Sequence, residues 1–454
     1  MKFTSINPAT GATLKIFNED SSGEVSERIS MAYEAWKSWK QKTFSERAVL
    51  MNKVGTVLLA KKEALAGLMA AEMGKPLNQG QSEVEKCALV CRFYAEQAEL
   101  FLTDDIIRTE AKKSFVTFEP LGPVLAIMPW NFPLWQVFRF AAPTIMAGNV
   151  ALLKHASNVS GCALAIADLF IEAGFPPDIF TTLLVSSTQI PTLLKNPHVR
   201  AVTLTGSTAA GKAVALHAGE NLKKVVLELG GSDPYLVLHD ADIQKAAEIC
   251  VESRLINSGQ SCISAKRFVV VKEVMAQFSE IFIQLMKNKK MGDPLSADTA
   301  VGPLARHDLQ QQLHNQVLAS VNKGAKLVRG GQIPMDNGAF YLPTVLTHVK
   351  PGMPAYDEEL FGPVAALIEA NDEVDAVRIA NDSAFGLGSA IFSRDTDRAE
   401  KLARQIESGC CFINQMVASD PRLPFGGVKT SGYGRELGSY GIKEFVNAKT
   451  IYIK

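Results

Sequence analysis

The chain lacks the features that mark membrane-spanning, nucleic-acid-binding and secreted proteins. No apolar run approaches the roughly 18 residues that a spanning helix needs. The 47 Lys and Arg residues balance 47 Asp and Glu residues, which gives no reason to expect a nucleic acid or an acidic membrane as a partner. Residues 1–8 have no apolar signal core, so we expect a cytoplasmic protein.

Cysteine and histidine are scarce and scattered. Seven cysteines, an odd number without a regular spacing, fit reduced thiols better than a disulfide framework. Cys87 and Cys91 could share one face of a helix, but neither a second pair nor a histidine lies near them. We therefore expect no metal centre.

The glycine-rich pattern G-x-G-x-x-G of dinucleotide-binding proteins is also absent. Residues 203–213 come close to the phosphate loop of nucleotide triphosphatases, with Gly206, Gly211 and Lys212 in place. Ala213 stands where a Ser or Thr would hold magnesium, which argues against an ATPase. What remains is a strand, a turn and a helix start that could face a pyrophosphate, or a plain turn.

What the chain does contain is a long alternation of strands and helices. The length of 454 residues suggests two or three domains. Residues 24–100 have helical periodicity, with helices predicted at 24–39, 45–71 and 80–101. Residues 104–120 alternate as strands do. Two blocks follow in which short apolar strands alternate with helices, which predicts an α/β fold with two parallel-rich sheets and a cleft between them. The predicted strands are 124–128, 150–154, 201–205 and 225–229, then 234–238, 267–271, 326–329, 364–369, 389–392 and 411–413.

Three polar residues near strand ends suggest acyl chemistry. Cys262 lies in the small, polar segment 257–265, where a thiol could be reached, and Glu228 lies near the end of an apolar strand. A thiolate and a carboxylate that can take a proton from water are what a thioester mechanism requires. Asn131, between Pro129 and Pro133, could donate to an oxyanion. The alternative is an inert core cysteine, an ordinary strand-end glutamate and a rigid turn.

Taken together, the motifs resemble one family from end to end. They are residues 6–11 (INPATG), 129–133 (PWNFP), 150–157 (VALLKHAS), 225–231 (VVLELGG), 257–262 (NSGQSC), 358–363 (EELFGP), 424–432 (PFGGVKTSG) and 445–450 (FVNAKT). In this order they resemble the NAD(P)-dependent aldehyde dehydrogenases, and within that family the chain is most similar to bacterial succinate-semialdehyde dehydrogenases.

The resemblance implies roles for individual residues. Cys262 would be the nucleophile, Glu228 the general base, and the Asn131 side chain with the Cys262 backbone N–H the oxyanion hole. The cofactor-binding residues would be Trp130, Lys154, Ser157, Gly206, Ser207, Glu359 and Phe361.

The cofactor is expected to be NAD or NADP. Many NAD-preferring members have a glutamate where this chain has Ser157, and His155 replaces the more usual proline. Without a carboxylate to repel a 2′-phosphate, both cofactors should be accepted.

Residues around Asn131 and before residue 424 are expected to line the substrate entrance. Arg139 lies eight residues after Asn131; if residues 134–139 are helical, the two residues share a face, and Arg139 could bind a substrate carboxylate. Other predicted substrate-binding residues are Phe132, Trp135, Ser261, Ser419 and Arg422. We expect a short carboxylated aldehyde such as succinate semialdehyde. The alternatives are a structural ion pair for Arg139, an uncharged aldehyde, transfer of the thioester to coenzyme A, and a non-catalytic nucleotide-binding protein.

The resemblance also implies a domain arrangement. Residues 1–103 and 121–229 would form the cofactor-binding domain, and residues 230–413 the catalytic domain. Residues 104–120 and 440–454 would form a β-arm joining subunits of a homodimer or homotetramer. Residues 414–439 would return to the cofactor domain and the substrate entrance.

Overall fold

The computed structural model describes residues 1–335 and 337–454. The chain starts with an antiparallel hairpin and a helical layer. Ser21 and Thr43 each form a reciprocal capping box, with Glu24 and Glu46, which fixes where the first two helices begin. The predicted helix at 45–71 is two helices, because the backbone leaves the helical region at Lys61 (φ −100°, ψ 12°). The elements are β1 (Lys2–Ile6), β2 (Thr13–Asn18), α1 (Ser22–Trp39), α2 (Phe44–Ala60), α3 (Lys62–Met73) and α4 (Leu77–Phe101).

Two strands, β3 (Asp105–Ile106) and β4 (Lys113–Pro120), precede the first large sheet. That sheet is built from short apolar strands with helices between them. Its elements are β5 (Pro123–Met128), α5 (Trp135–Met146), β6 (Val150–His155), α6 (Ser160–Glu172), β7 (Phe180–Thr182), α7 (Ile190–Lys195), β8 (Ala201–Thr205), α8 (Thr208–Glu220) and β9 (Lys224–Glu228). All of β5, β6 and β8 is buried except for Lys154, as expected for strands covered on both faces.

The second sheet has seven strands. Its block comprises β10 (Pro234–Val237), α9 (Ile243–Leu255), β11 (Arg267–Val271), α10 (Lys272–Asn288), α11 (His307–Asn322), β12 (Lys326–Arg329), β13 (Thr344–Thr347), α12 (Pro354–Asp357), β14 (Val364–Ala370), α13 (Glu373–Asn381), β15 (Phe385–Gly386), β16 (Gly388–Phe392), α14 (Thr396–Ala403) and β17 (Cys410–Ile413). The order is β12-β13-β14-β11-β10-β16-β17, parallel except for β12, and β15 lies outside it.

The C-terminal segment returns to the first half of the molecule. It contains β18 (Val428–Lys429), β19 (Gly432–Tyr433), α15 (Gly438–Lys443) and β20 (Val446–Ile453). The first sheet has the order β19-β9-β8-β5-β6-β7, in which only β19 is antiparallel to its neighbour. β20 pairs along the whole of β4, and with β3 these form a separate three-stranded antiparallel sheet.

The expected α/β class with two parallel-rich sheets is confirmed. In the described part of the chain, no helix is both long and apolar enough to cross a membrane.

Candidate active site

The predicted nucleophile follows a strained turn. After α9, a short 3₁₀ segment (Ile256–Gly259) contains three successive left-handed residues, Asn257 (φ 52°), Ser258 (φ 58°) and Gly259 (φ 77°). A Cβ at Gly259 would collide with the backbone of Gly362, so only glycine fits. The Asn257 side chain donates to the Asn131 carbonyl at 2.6 Å. These contacts hold a costly backbone conformation and tie the Cys262 loop to the Asn131 segment.

Lys266 fixes the other side of this loop. Its buried ammonium donates to the carbonyls of Ser261 (2.8 Å) and Cys262 (2.5 Å). Burial raises the pKa of the half-buried Cys262 thiol to about 12, against the lowering effect of Lys266 and Arg139. The thiol, rather than the thiolate, is therefore the resting form.

Asn131 lies between β5 and α5. The helix expected at residues 134–139 is present from Trp135 onward. Asn131 precedes it, because Pro133 disfavours a helical conformation at Phe132, so the helical repeat does not extend back to Asn131. The Asn131 amide nitrogen donates to the Gln260 carbonyl at 3.1 Å, which uses one of its two hydrogens. Among the described residues, the Cys262 backbone N–H has no acceptor. Two donors thus remain near the loop that carries the thiol.

Glu228, the last residue of β9, is only 2% exposed. Neither of its carboxylate oxygens has a hydrogen-bond partner in the described part of the chain. A Cβ at Gly426 would lie 2.6 Å from one of them, so glycine leaves the room that this carboxyl occupies. Burial, and secondarily the nearby Glu436, raise the pKa of Glu228 well above its ordinary value. The group is a strong base once it is deprotonated.

A cavity of about 500 Å³ lies against Cys262. Five of the predicted substrate-binding residues line it: Phe132, Trp135, Arg139, Ser261 and Ser419. Arg422 is not among the lining residues; its guanidinium is 75% exposed and binds Asp420. Asn131 and Glu228 also lie outside the lining.

Arg139 reaches the cavity but is already paired. Its Nε forms an ion pair with the buried Glu436, and its Nη2 donates to Thr205 at 3.3 Å. The guanidinium carbon lies 4.8 Å from the centre of the Phe425 ring. The alternative of a structural ion pair for Arg139 is thus realised, with Glu436 as a partner that no sequence pattern indicates.

Lys86 is a cavity residue that the sequence does not indicate. This residue of α4 lines the same cavity and donates to Ser419 Oγ at 2.8 Å. The helical periodicity of α4 predicts only a covering layer, and no motif surrounds Lys86 in the sequence.

Lys154, Gly206 and Ser207 lie at the carboxyl ends of parallel strands in the first sheet, whereas Glu359 and Phe361 lie between α12 and β14. Lys154 lies near the end of β6, Gly206 follows β8, and these strands flank β5. Ser207 caps α8, a thirteen-residue helix whose N-terminus suits a phosphate. Ser157 is an exposed, neutral residue just past β6. This is the strand edge at which nucleotides bind in open α/β sheets.

The donors at this strand edge suit the phosphate groups of a dinucleotide. In the described chain, no carboxylate oxygen lies within 4.0 Å of the Lys154 ammonium. Trp130 and Phe361 meet edge to face, with ring centres 5.7 Å apart. Glu359 accepts the Gly231 N–H at 3.1 Å and pairs with Lys266 at 3.4 Å, which connects the cofactor side to the Cys262 loop.

Comparisons with known proteins agree with this arrangement. The family model described as "Aldehyde dehydrogenase family" matches residues 1–451. A succinate-semialdehyde dehydrogenase of Mycobacterium leprae, with NADP(+) in its name, is 46% identical over 456 residues and is matched over 100% of both chains. The Escherichia coli succinate semialdehyde dehydrogenase Sad, with NAD(P)+ in its name, is 44% identical over 448 residues, covering 99% of this chain and 97% of Sad.

A solved structure is similarly close. The succinic semialdehyde dehydrogenase of Streptococcus pyogenes, solved in complex with NADP+, superposes with a TM-score of 0.97 at 36% identity. The match covers 99% of each chain. The sequence motifs, the placement of Cys262 against a cavity and these full-length similarities lead to one conclusion: the chain belongs to the aldehyde dehydrogenase family.

Proposed function

We propose that this enzyme oxidises succinate semialdehyde to succinate through a thioester on Cys262, with NADP or NAD as the hydride acceptor. The observation that carries the proposal is the cavity at Cys262, which combines aromatic walls with cationic side chains. Apolar walls suit a short carbon chain, and cations suit a carboxylate at its far end. The names of the relatives support the same substrate.

In the first half-reaction, the Cys262 thiol releases its proton to solvent and the sulfur forms a bond to the aldehyde carbon. The electron pair of the carbonyl π bond moves to oxygen. We assign the stabilisation of that oxyanion to the second hydrogen of the Asn131 amide and to the Cys262 backbone N–H. Neither hydrogen is donated to an acceptor among the described residues.

Residues of the first sheet would hold the cofactor. We assign the adenosine ribose to Lys154, the pyrophosphate to Gly206 and Ser207, and the nicotinamide half to Trp130, Glu359 and Phe361. When bound, the nicotinamide supplies an acceptor for the hydride that leaves the former aldehyde carbon, and a thioester remains on Cys262.

In the second half-reaction, Glu228 takes a proton from water and the water oxygen attacks the thioester carbon. The carbon–sulfur bond breaks, the acid leaves, and Cys262 regains its sulfur electron pair. A buried carboxyl with a raised pKa suits this role, because it is a strong proton acceptor. The presence of Glu228 as a base for water favours water over coenzyme A as the acyl acceptor.

The remaining proposals concern assembly. We propose that residues 1–103 and 121–229 bind the cofactor and residues 230–413 carry the catalytic cysteine, while residues 414–439 complete the cofactor domain and the substrate entrance. Residues 104–120 and 440–454 would join subunits of a homodimer or homotetramer in the cytoplasm. The pairing of β20 with β4, which leaves much of β20 exposed, supports this arm.

Asn131→Ala should lower kcat by about a hundredfold or more, because one oxyanion donor contributes on the order of 3–4 kcal/mol. The substrate KM should change much less, because the lost hydrogen bond forms mainly in the transition state. Steady-state kinetics measures both. Asn158→Ala is a matched control at an asparagine outside the cavity lining. An unchanged kcat in Asn131→Ala would remove Asn131 from the oxyanion hole.

A panel of two aldehydes and two cofactors tests the proposed function. Succinate semialdehyde should have a kcat/KM well over tenfold above that of butyraldehyde, because only the former carries a carboxylate. NADP and NAD should both support turnover, since Ser157 presents no negative charge to a 2′-phosphate. Equal efficiency with both aldehydes would favour the alternative of uncharged aldehyde substrates. No turnover with saturating NADP would contradict the interpretation of Ser157.

A further inference from the structure

Lys86 occupies a defined place in the wall of the cavity. Its ammonium donates to Ser419 Oγ at 2.8 Å and lies 4.3 Å from the centre of the Trp135 ring. Ser419, Trp135 and Cys262 all line the same space. The long side chain of Lys86, on α4, thus places a cation in the cavity that contains the predicted nucleophile.

This ammonium has no carboxylate partner within 4.0 Å in the described part of the chain. The nearest acids are committed elsewhere. Glu83 pairs with Lys75 and accepts the backbone N–H groups of Leu134 and Trp135, both at 2.9 Å. Asp420 binds Arg422. A partly desolvated cation without a counter-ion is unfavourable, and an anionic ligand would relieve that cost.

The other cations near the cavity each have a competing partner, either a carboxylate or water. Arg139 is paired with Glu436 and also donates to Thr205. Arg422 lies outside the lining and is paired with Asp420. Lys289 lines the cavity but is exposed, so water competes for its charge.

We infer that Lys86 binds the substrate carboxylate, with the Ser419 hydroxyl as a second donor, and thereby determines specificity for carboxylated aldehydes. This inference rests on the proposed function and names the cation that serves it. The Ser419 hydroxyl accepts a hydrogen bond from Lys86, which leaves its own hydrogen for the carboxylate. The Trp135 ring supports the stem and limits where the ammonium can go.

The test compares the kcat/KM ratio of succinate semialdehyde to butyraldehyde in wild type and Lys86→Met. The methionine keeps an unbranched stem of similar length against Trp135 but removes the charge. We expect the ratio to fall about 10- to 100-fold, as for loss of a hydrogen bond to a charged group. Lys86→Arg should recover most of the ratio. Lys287→Met, which removes an exposed lysine outside the lining, is the matched control and should keep the wild-type ratio.

The same ratio should depend on pH. Burial, and secondarily Arg139, lower the pKa of Lys86 to about 8, while Cys87, Glu83 and Asp420 oppose this. A lysine is charged below its pKa, so the wild-type ratio should fall as pH rises through about 8 and above. Taking a ratio cancels the titration of Cys262 and Glu228, which both aldehydes share. In Lys86→Met the ratio should be independent of pH over this range.

Two failures can be told apart. If wild type does not distinguish the two aldehydes, the proposed function is wrong and the role of Lys86 falls with it. If wild type distinguishes them and Lys86→Met does so equally, only the assignment of Lys86 is overturned. Equal losses with both aldehydes would make Lys86 a structural residue.

Discussion

Cys262→Ala should lower aldehyde oxidation by at least about a thousandfold while leaving cofactor binding intact, because no covalent intermediate can form without the sulfur. The substitution removes one atom at the cavity surface and leaves the backbone contacts of Lys266, so the loop should keep its shape. Formation of reduced nicotinamide measures the rate. Quenching of tryptophan fluorescence measures cofactor binding, with Trp130 next to Phe361 as the expected reporter.

Cys411→Ala is the matched control for this substitution. Cys411 is half-buried like Cys262, but it lies on β17 and outside the cavity lining. Its removal should leave the rate unchanged within a few-fold. Retention of more than a tenth of wild-type activity by Cys262→Ala would contradict the thioester mechanism.

Glu228→Gln should stop the reaction after the first half. We expect a burst of reduced nicotinamide close to one equivalent per active site, followed by steady-state turnover about 10²- to 10⁴-fold slower. Glutamine keeps the shape of the side chain but cannot take a proton from water. Rapid mixing measures the burst, and intact-protein mass spectrometry detects the acyl group left on the enzyme.

The pH dependence of thioester hydrolysis is a second test of the role of Glu228. Burial raises the pKa of Glu228, so the wild-type carboxyl is protonated at low pH and hydrolysis should accelerate as pH rises through the raised pKa. The glutamine variant should lose that titration. Glu407→Gln, at an exposed glutamate paired with Lys429, is the control. If the glutamine variant releases acid as fast as wild type, Glu228 is not the base. If coenzyme A stimulates the wild-type enzyme, transfer of the acyl group to coenzyme A is favoured over hydrolysis.

The sheets could be predicted because their strands are short, apolar and separated by helices. Strand β13 is not predicted, because four residues within a long connection are too few to show the two-residue alternation of a strand. The helices α2 and α3 were merged because their apolar spacing continues across Lys61, where only the backbone geometry reveals a break.

Only some residues of the candidate site could be predicted from the sequence. Cys262, Glu228 and Asn131 lie in segments whose residue types suggest chemistry. Lys86 and Glu436 do not, because each reaches the site through packing between distant parts of the chain. The pKa of Cys262 could not be read either, since burial sets it.

The return of the C-terminal segment has a consequence for biosynthesis. The first sheet receives its sixth strand, β19, and Arg139 receives its partner Glu436, from residues that are synthesised only after the whole second sheet. Until then β9 is an open sheet edge and Arg139 is a cation without its counter-charge. Such late, non-local contacts slow folding and expose the nascent first half to aggregation. The substrate cavity can therefore be completed only after the chain has been synthesised as far as Glu436.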